Sequence, residues 1–569
     1  MMNNPNVIAN NNQVYNPNMM SNQGYYDNQS LNQKNNSSTK TNINQIPTNN
    51  NNEEVSKENK KHIITNSSNQ QAQQKDNKKN AKKEAFPKDK VKKEEGKKED
   101  KKDKKEKEIE KEKDYTEEKD MELIVDSKEG KMIEVDESLQ PVSIVFIGHV
   151  DHGKSTIAGN ILISSGMVDD RTIEKYQKEA KSKGRDSWYI AYCMDFNEDE
   201  REKGKTIEIG KAFFKTKTKR FTILDAPGHS GYLPNMLLGA CQADFAGLVI
   251  SAKGGEFEAG FEKSGSTREH ILLAKSLGVN KLVVLVNKMD EESVKWSETR
   301  FNQIRNDLSE YLKKVGYNVE KDIHFVPLSG LYGDNLKEPL NKKKCSWYEG
   351  STVLELLDSL EQPKRESNAP LRISILDRYK EGGMHVMGKV ESGVVKYGSS
   401  YTLMPLKQSI DIQWIFNSED EGVPYALPGE SVRLKIKGIE NELDINRGYI
   451  ICSQENLCGS FDQVIAEIIV LELPETKKIM ATGYTCIMHY HTTVAECTLT
   501  IMAEIDKKTK EEMKVKFVKN NTRAKVLIKA NSVLCGEKFE SYPTLGRFTL
   551  RDEGKTIAVG KVLKYKLGK

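Results

Sequence analysis

The chemistry in this chain starts at residues 148–156, "GHVDHGKST". The order G-x-x-x-x-G-K-[ST] follows a short β-branched run, "VSIVFIG", and precedes a helical stretch. In that setting the Gly-bounded loop and the helix N-terminus turn backbone N–H groups toward phosphate. Asp151, His152, Gly153, Lys154, Ser155 and Thr156 are the candidates for this cradle. Lys154 brings a point charge to the outer phosphates, and Ser155 offers a hydroxyl to Mg²⁺. "DAPGH" at 225–229 closes the strand-like "FTIL". Asp225 is placed to hold Mg²⁺ through a water, Gly228 to aim its N–H at a γ-phosphate, and His229 to orient an attacking water. "NKMD" at 287–290 also ends a strand-like run. The Asp290 carboxylate can accept both N1–H and the exocyclic amine of guanine, a donor pair adenine lacks. Asn287 can bond the purine and the loop, and the Lys288 stem can cover the ring. Backbone amides of "LSG" and its successor, with Ser329, Gly330 and Leu331, could reach guanine O6. Thr206, in "EKGKTIEIG", completes the set as a hydroxyl that closes over Mg²⁺ and makes its segment an order–disorder switch. The expected ligands are GTP or GDP with Mg²⁺, and the expected activity is GTP hydrolysis with His229 as the catalytic side chain.

The elements that must position these residues can be read from the runs around them. "FTILD", "FAGLVISA", "KLVVLVNK" and "DIHFVPLSG" are apolar strands separated by helix-like segments such as "STREHILLAKSLG". That alternation argues for a parallel sheet covered on both faces. Beyond about Pro370 the runs become short strands broken by Gly and Pro, which argues for two consecutive β-barrels. The expected architecture is an α/β P-loop GTPase domain at 139–365, then all-β barrels at 366–460 and 461–569. Ahead of them, residues 1–75 are rich in Asn and Gln and read as a disordered tail, prone at most to self-association. Residues 76–138 alternate Lys with Glu and Asp and read as a charged linker.

Over 569 residues, 88 Lys and Arg nearly balance 84 Asp and Glu, so net charge does not mark a nucleic-acid binder. The eight cysteines form no C-x-x-C pair and lie mostly in apolar runs, which suits a reducing compartment. No signal pattern or membrane-length apolar run is evident, and the expectation is a cytoplasmic protein without membrane association. His489 and His491 alternate along a strand, but without an evident third ligand they read as a barrel pair. Trp188–Tyr189 and Trp347–Tyr348 read as core or interface aromatics rather than base-stacking platforms.

With these motifs in this order, the chain resembles translational GTPases of the elongation factor 1-alpha type, from about Val142 to Leu567. Within that group it is most similar to class II release factors. The similarity is carried by "GMVDDRTIEKYQKEAKSKGRDSWYIAYCMD" (166–195), "GEFEAGFEKSGSTREH" (255–270) and "GRFTLRDEGKTIAVGKV" (546–562). The resemblance implies a termination GTPase, stimulated by the ribosome, that delivers or activates the class I release factor at stop codons. It implies that the last barrel binds that factor, and it offers poly(A)-binding protein as a partner for the tail. Two alternatives share the scaffold, a ribosome-rescue GTPase and an aminoacyl-tRNA carrier. A third, of another class, is an assembly protein acting through its tail. Carrier-type factors have a bulky apolar residue immediately before the switch Thr. Here Lys205 stands there, so a gate over His229 with Val150 as its other half does not transfer simply. His152 is a variation, since bacterial tRNA carriers have His at that place and release factors a small residue.

Overall fold

The computed structural model describes residues 132–194, 200–201, 206–262 and 265–566. The tail reading for 1–75, most of the linker reading for 76–138, and Lys205 lie outside the described residues.

The first layer set is built on β1 (Gln140–Ile147), whose last six residues are all buried. An uninterrupted apolar strand of this kind belongs in the middle of a parallel sheet with helices on both faces. It pairs in parallel with β3 (Lys219–Asp225) on one side and β4 (Phe245–Ser251) on the other. β5 (Lys281–Asn287) and β6 (Ile323–Pro327) extend the sheet in parallel, and β2 (Gly210–Lys215) adds an antiparallel edge, giving the order β2-β3-β1-β4-β5-β6. One face packs on α1 (Lys154–Ser164), α2 (Asp170–Ser182) lying at its edge, and the other on α3 (Leu233–Ala240), α4 (Glu256–Phe261), α5 (Ser266–Leu277) and α6 (Glu298–Val315). The α6 helix shows the local logic. Phe301, Ile304, Leu308 and Leu312 recur at helical spacing and are buried. The Ser297 hydroxyl caps its start by accepting from the Arg300 N–H, and Gly316 at φ +100° ends it. The loops after β1, β3, β5 and β6 all leave the same, C-terminal edge of the sheet, where ligands of such folds sit.

Strands from Arg372 to Cys452 form a closed antiparallel barrel of six strands. A second antiparallel sheet runs from Gly459 to Lys566 and is joined up by the pairing of Tyr484–Tyr490 with Thr493–Ile505. The α/β-then-barrels expectation therefore holds. The end of the charged stretch behaves differently from a solvated linker: Met132 packs with Trp414 and Phe416, and Val135 enters the first barrel's core. Those apolar residues break the Lys/Glu alternation and gain from burial where their neighbours would not.

Polar seams hold the three bodies together, the α/β domain meeting the first barrel through Arg220–Glu430 and Lys389–Asp244, and the second barrel meeting each of the others. Arg372, 1% exposed, donates through Nε and Nη2 to Glu537 of the second barrel at 3.0 and 2.8 Å, and through Nη2 to Asn456 Oδ1 at 2.7 Å. At the second barrel's seam with the α/β domain, α5 carries Glu269, which accepts from Thr556 Oγ1 at 2.9 Å and lies 3.7 Å from Arg551, while Arg547 donates to the Ser276 carbonyl at 3.1 Å. Glu537→Ala should cost about 3 kcal/mol, because it strands a buried guanidinium, whereas Arg372→Met with Glu537→Met should cost markedly less. Urea unfolding of the full chain, followed through the barrels' transition, checks both.

Candidate active site

At the C-terminal edge of the sheet lies a cavity of about 380 Å³, walled by residues of the loops after β1, β3, β5 and β6. The first loop is shaped by glycines at points where nothing else fits. Gly148 sits at φ +140°, and a Cβ there would lie 2.3 Å from the Val249 carbonyl oxygen. Gly153 sits at φ +93°, and its Cβ would lie 2.4 Å from Asn287 Nδ2. It hands over directly to α1, whose first turn has no acidic side chain, so its free N–H groups present positive partial charge. Lys154 is 6% exposed and donates to the His149 carbonyl at 2.8 Å. Burial lowers its pKa to about 8, with Asp225 and Asp151 pulling the other way.

Asp225, at the end of β3, is fully buried, and neither carboxylate oxygen has a hydrogen-bond partner among the described residues. Burial raises its pKa to about 6, opposed by the nearby Ser155 hydroxyl and the Lys154 ammonium. Ser155 Oγ lies 3.1 Å from Thr206 Oγ1. An orphaned buried carboxylate beside two hydroxyls is an oxygen-only donor set, and it fits a hard divalent cation such as Mg²⁺. Gly228 is buried against Lys154 Nζ and the Val150 N–H, and His229 is exposed at the cavity rim. His229 Nδ1 accepts from the Gly231 N–H at 3.0 Å. In the neutral ring this assigns the proton to Nε2, so that atom can donate but cannot take a proton.

At the other end, Asp290 and Lys288 line the cavity, and Lys288 Nζ is anchored by Glu256 at 2.7 Å. Here two expectations change. The Asn287 side chain works as a tether: Nδ2 donates to the His152 carbonyl at 2.9 Å and Oδ1 accepts from the Gly330 N–H at 2.7 Å. The Gly330 amide is therefore taken, and the Ser329 amide donates to the Asp334 carbonyl at 3.2 Å. Only Leu331 of the three reaches the cavity lining. The His152 ring is likewise turned away from the cavity and is 1% exposed. Its Nδ1 lies 3.1 Å from the Val249 carbonyl and its Nε2 3.3 Å from that of Glu256, and burial lowers its pKa to about 4. A neutral ring has one N–H, and given to the nearer Val249 carbonyl it ties the loop to β4; any contact His152 makes with phosphate must come from its backbone.

Sequence patterns missed part of the wall. Ser187, Trp188, Ala191 and Glu291 also line the cavity, and Arg185 stacks over the Trp188 ring at 4.6 Å. Trp188, expected in the core or at an interface, is neither fully buried nor open to solvent: it is half-buried and lines the cavity. Trp347 does pack as core, against Phe301, with its indole N–H donated to the Trp296 carbonyl at 2.8 Å. His489 is buried in the second barrel, and His491 faces Glu391 at 3.3 Å.

Residues 140–363 match the elongation factor Tu GTP binding domain, and residues 463–563 match the GTP-eEF1A C-terminal domain-like family. The S. cerevisiae Ski7 GTPase-like domain bound to GTP is similar in fold, with a TM-score of 0.61 at 19% identity, over 74% of this chain and 97% of that one. The eukaryotic peptide chain release factor GTP-binding subunit of Kluyveromyces lactis is 46% identical over 426 residues, which span 74% of this chain and 60% of the relative's length. The same subunit of Zygosaccharomyces rouxii is 44% identical over 449 residues, 78% of this chain and 67% of the relative. With identity of that degree running through the α/β domain and both barrels, the chain belongs to the family of eukaryotic peptide chain release factor GTP-binding subunits.

Proposed function

We propose that this protein is a GTPase of translation termination, which binds GTP with Mg²⁺, hydrolyses it under stimulation by the ribosome, and delivers or activates the class I release factor at stop codons. One observation carries the reading: a buried lysine at a helix N-terminus, the Ser155 and Thr206 hydroxyls and Asp290 all line a single cavity, with the orphaned Asp225 carboxylate buried behind Ser155. The amides of the first loop and Lys154 hold the phosphates. Ser155, Thr206 and Asp225 would hold Mg²⁺, which would supply positive charge to neutralise the phosphates. Asp290 reads guanine, and Lys288, fixed by Glu256, covers its face. His229, with its proton on Nε2, aligns the attacking water by donating to it or to the γ-phosphate. The water's own proton then leaves to another acceptor, for which phosphate oxygens are at hand. Water attacks the γ-phosphorus, the bond to the β-phosphate oxygen breaks, and GDP and phosphate result.

The last barrel is our candidate for the class I factor's docking site, and the Asn- and Gln-rich tail is a candidate for poly(A)-binding protein. The free cysteines suit a cytoplasmic setting, and no helix among the described residues is long and apolar enough to cross a membrane. Capture of the class I release factor from lysate by the full chain supports termination, and capture of its rescue-type relative or of tRNA instead overturns it.

Asp290→Asn should weaken GTP roughly a hundredfold, the loss of two charge-assisted hydrogen bonds of about 1.5 kcal/mol each, while XTP gains. Competition binding of the two nucleotides checks this. His229→Ala should leave GTP affinity nearly intact and slow single-turnover hydrolysis on the ribosome by about a hundredfold. Calorimetric titration of GTP should show tighter binding with the class I factor present and a smaller change for GDP, because linkage makes the strengthening mutual. Removal of residues 1–120 should not alter that coupling, since none of the site residues lies there.

A further inference from the structure

Behind the cavity, a polar contact joins the loop after β1, the start of α5 and the turn after β3. Ser266, in the first turn of α5 and 5% exposed, places its Oγ 2.9 Å from the Gly228 carbonyl oxygen and 2.9 Å from His149 Nδ1. A hydroxyl has one proton to give. The Gly228 oxygen can only accept, so the Ser266 proton points there, and His149 must then donate its Nδ1–H to Oγ. The Ser266 N–H also approaches His149 Nδ1, at 3.5 Å, a distance too long to compete for that nitrogen. Burial holds the His149 pKa below its ordinary value, which leaves the ring a single proton to commit to this contact.

The Gly228 carbonyl belongs to the peptide plane that also contains the His229 N–H. Fixing that oxygen fixes the plane, and with it the backbone from which His229 projects. Gly228 needs such a restraint. It has no side chain, its Cα sits in a slot bounded by Lys154 Nζ and the Val150 N–H, and glycine peptides turn more readily than others.

We propose that Ser266, aimed by His149, is a positioning residue for hydrolysis that clamps the Gly228–His229 peptide. The clamp rests on the reading of His229 as the side chain that acts on the attacking water. The α5 helix thereby reports the position of the turn after β3 to the rest of the fold, since Glu269 on the same helix holds Thr556 and Arg551 of the second barrel.

The test uses the full chain with ribosomes and class I factor in single-turnover hydrolysis. Ser266→Ala should slow the step about tenfold, the worth of one buried hydrogen bond, with the affinity for GDP unchanged, and Ser266→Thr, which keeps the hydroxyl, should recover most of the rate. In a His229→Ala background, Ser266→Ala should add nothing further, because the clamp acts through that residue. Ring-¹⁵N-histidine NMR should show the His149 proton on Nδ1, and Ser266→Ala should move that signal. A normal rate in Ser266→Ala, a full further loss in the His229→Ala background, or a His149 proton on Nε2 would each overturn the clamp. A normal rate in His229→Ala alone would instead remove the reading of His229 beneath it. If Ser266→Ala lowers GDP affinity as much as it lowers the rate, Ser266 supports the fold and positions nothing.

Discussion

Two opposite charges, Lys154 and Asp225, are withdrawn from water at the C-terminal edge of the sheet without forming an ion pair with each other. Burying a charge costs several kcal/mol unless it is compensated, and an orphaned carboxylate is among the more expensive arrangements a fold can carry. The surrounding chain is organised to bear that cost. The β1 and β3 strands are buried over most of their length, so they hold both groups in place regardless of their electrostatics. The strain is local and directed, and a ligand that brings phosphate to the lysine and a cation to the carboxylate relieves it. Anything bound there stabilises the folded state by mass action.

The same economy explains why so few side chains in the site are free. Asn287 bridges two loops, Glu256 holds Lys288, and Gly231 fixes the ring of His229. Each of these contacts spends hydrogen-bonding capacity on geometry. What remains for a ligand is backbone N–H at the start of α1, the Lys154 ammonium, the carboxylates of Asp225 and Asp290, two hydroxyls and one imidazole nitrogen. A site built this way is preorganised, so little reorganisation is needed when charge develops in the reaction.

The second barrel takes part through α5. The first turn of α5 touches the turn after β3 and the loop after β1 and also carries Glu269 to the second barrel, and its end receives Arg547. A rigid helix with a polar contact at each end is the simplest way to make one body's position depend on another's. The hairpin around Arg547–Asp552 and Lys555–Lys566 is therefore partly engaged with the α/β domain, and only its remaining face is open to a partner.

Sequence alone determined the sheet, the barrels and the identity of most residues that line the cavity. Those features depend on local chemistry: β-branched runs make buried strands, Gly-Lys-Ser after a strand makes an anion cradle, and Asp at a strand end points where the loops gather. Direction was beyond it. No spacing rule says that the His152 ring turns inward to Val249, that Asn287 and not the purine takes the Gly330 amide, or that Trp188 faces the cavity while Trp347 faces the core. Nor could it join Ser266 to Gly228 and His149, 38 and 117 positions away. Those outcomes depend on which groups meet when distant segments pack, and a buried polar group bonds whichever partner the tertiary structure brings within reach.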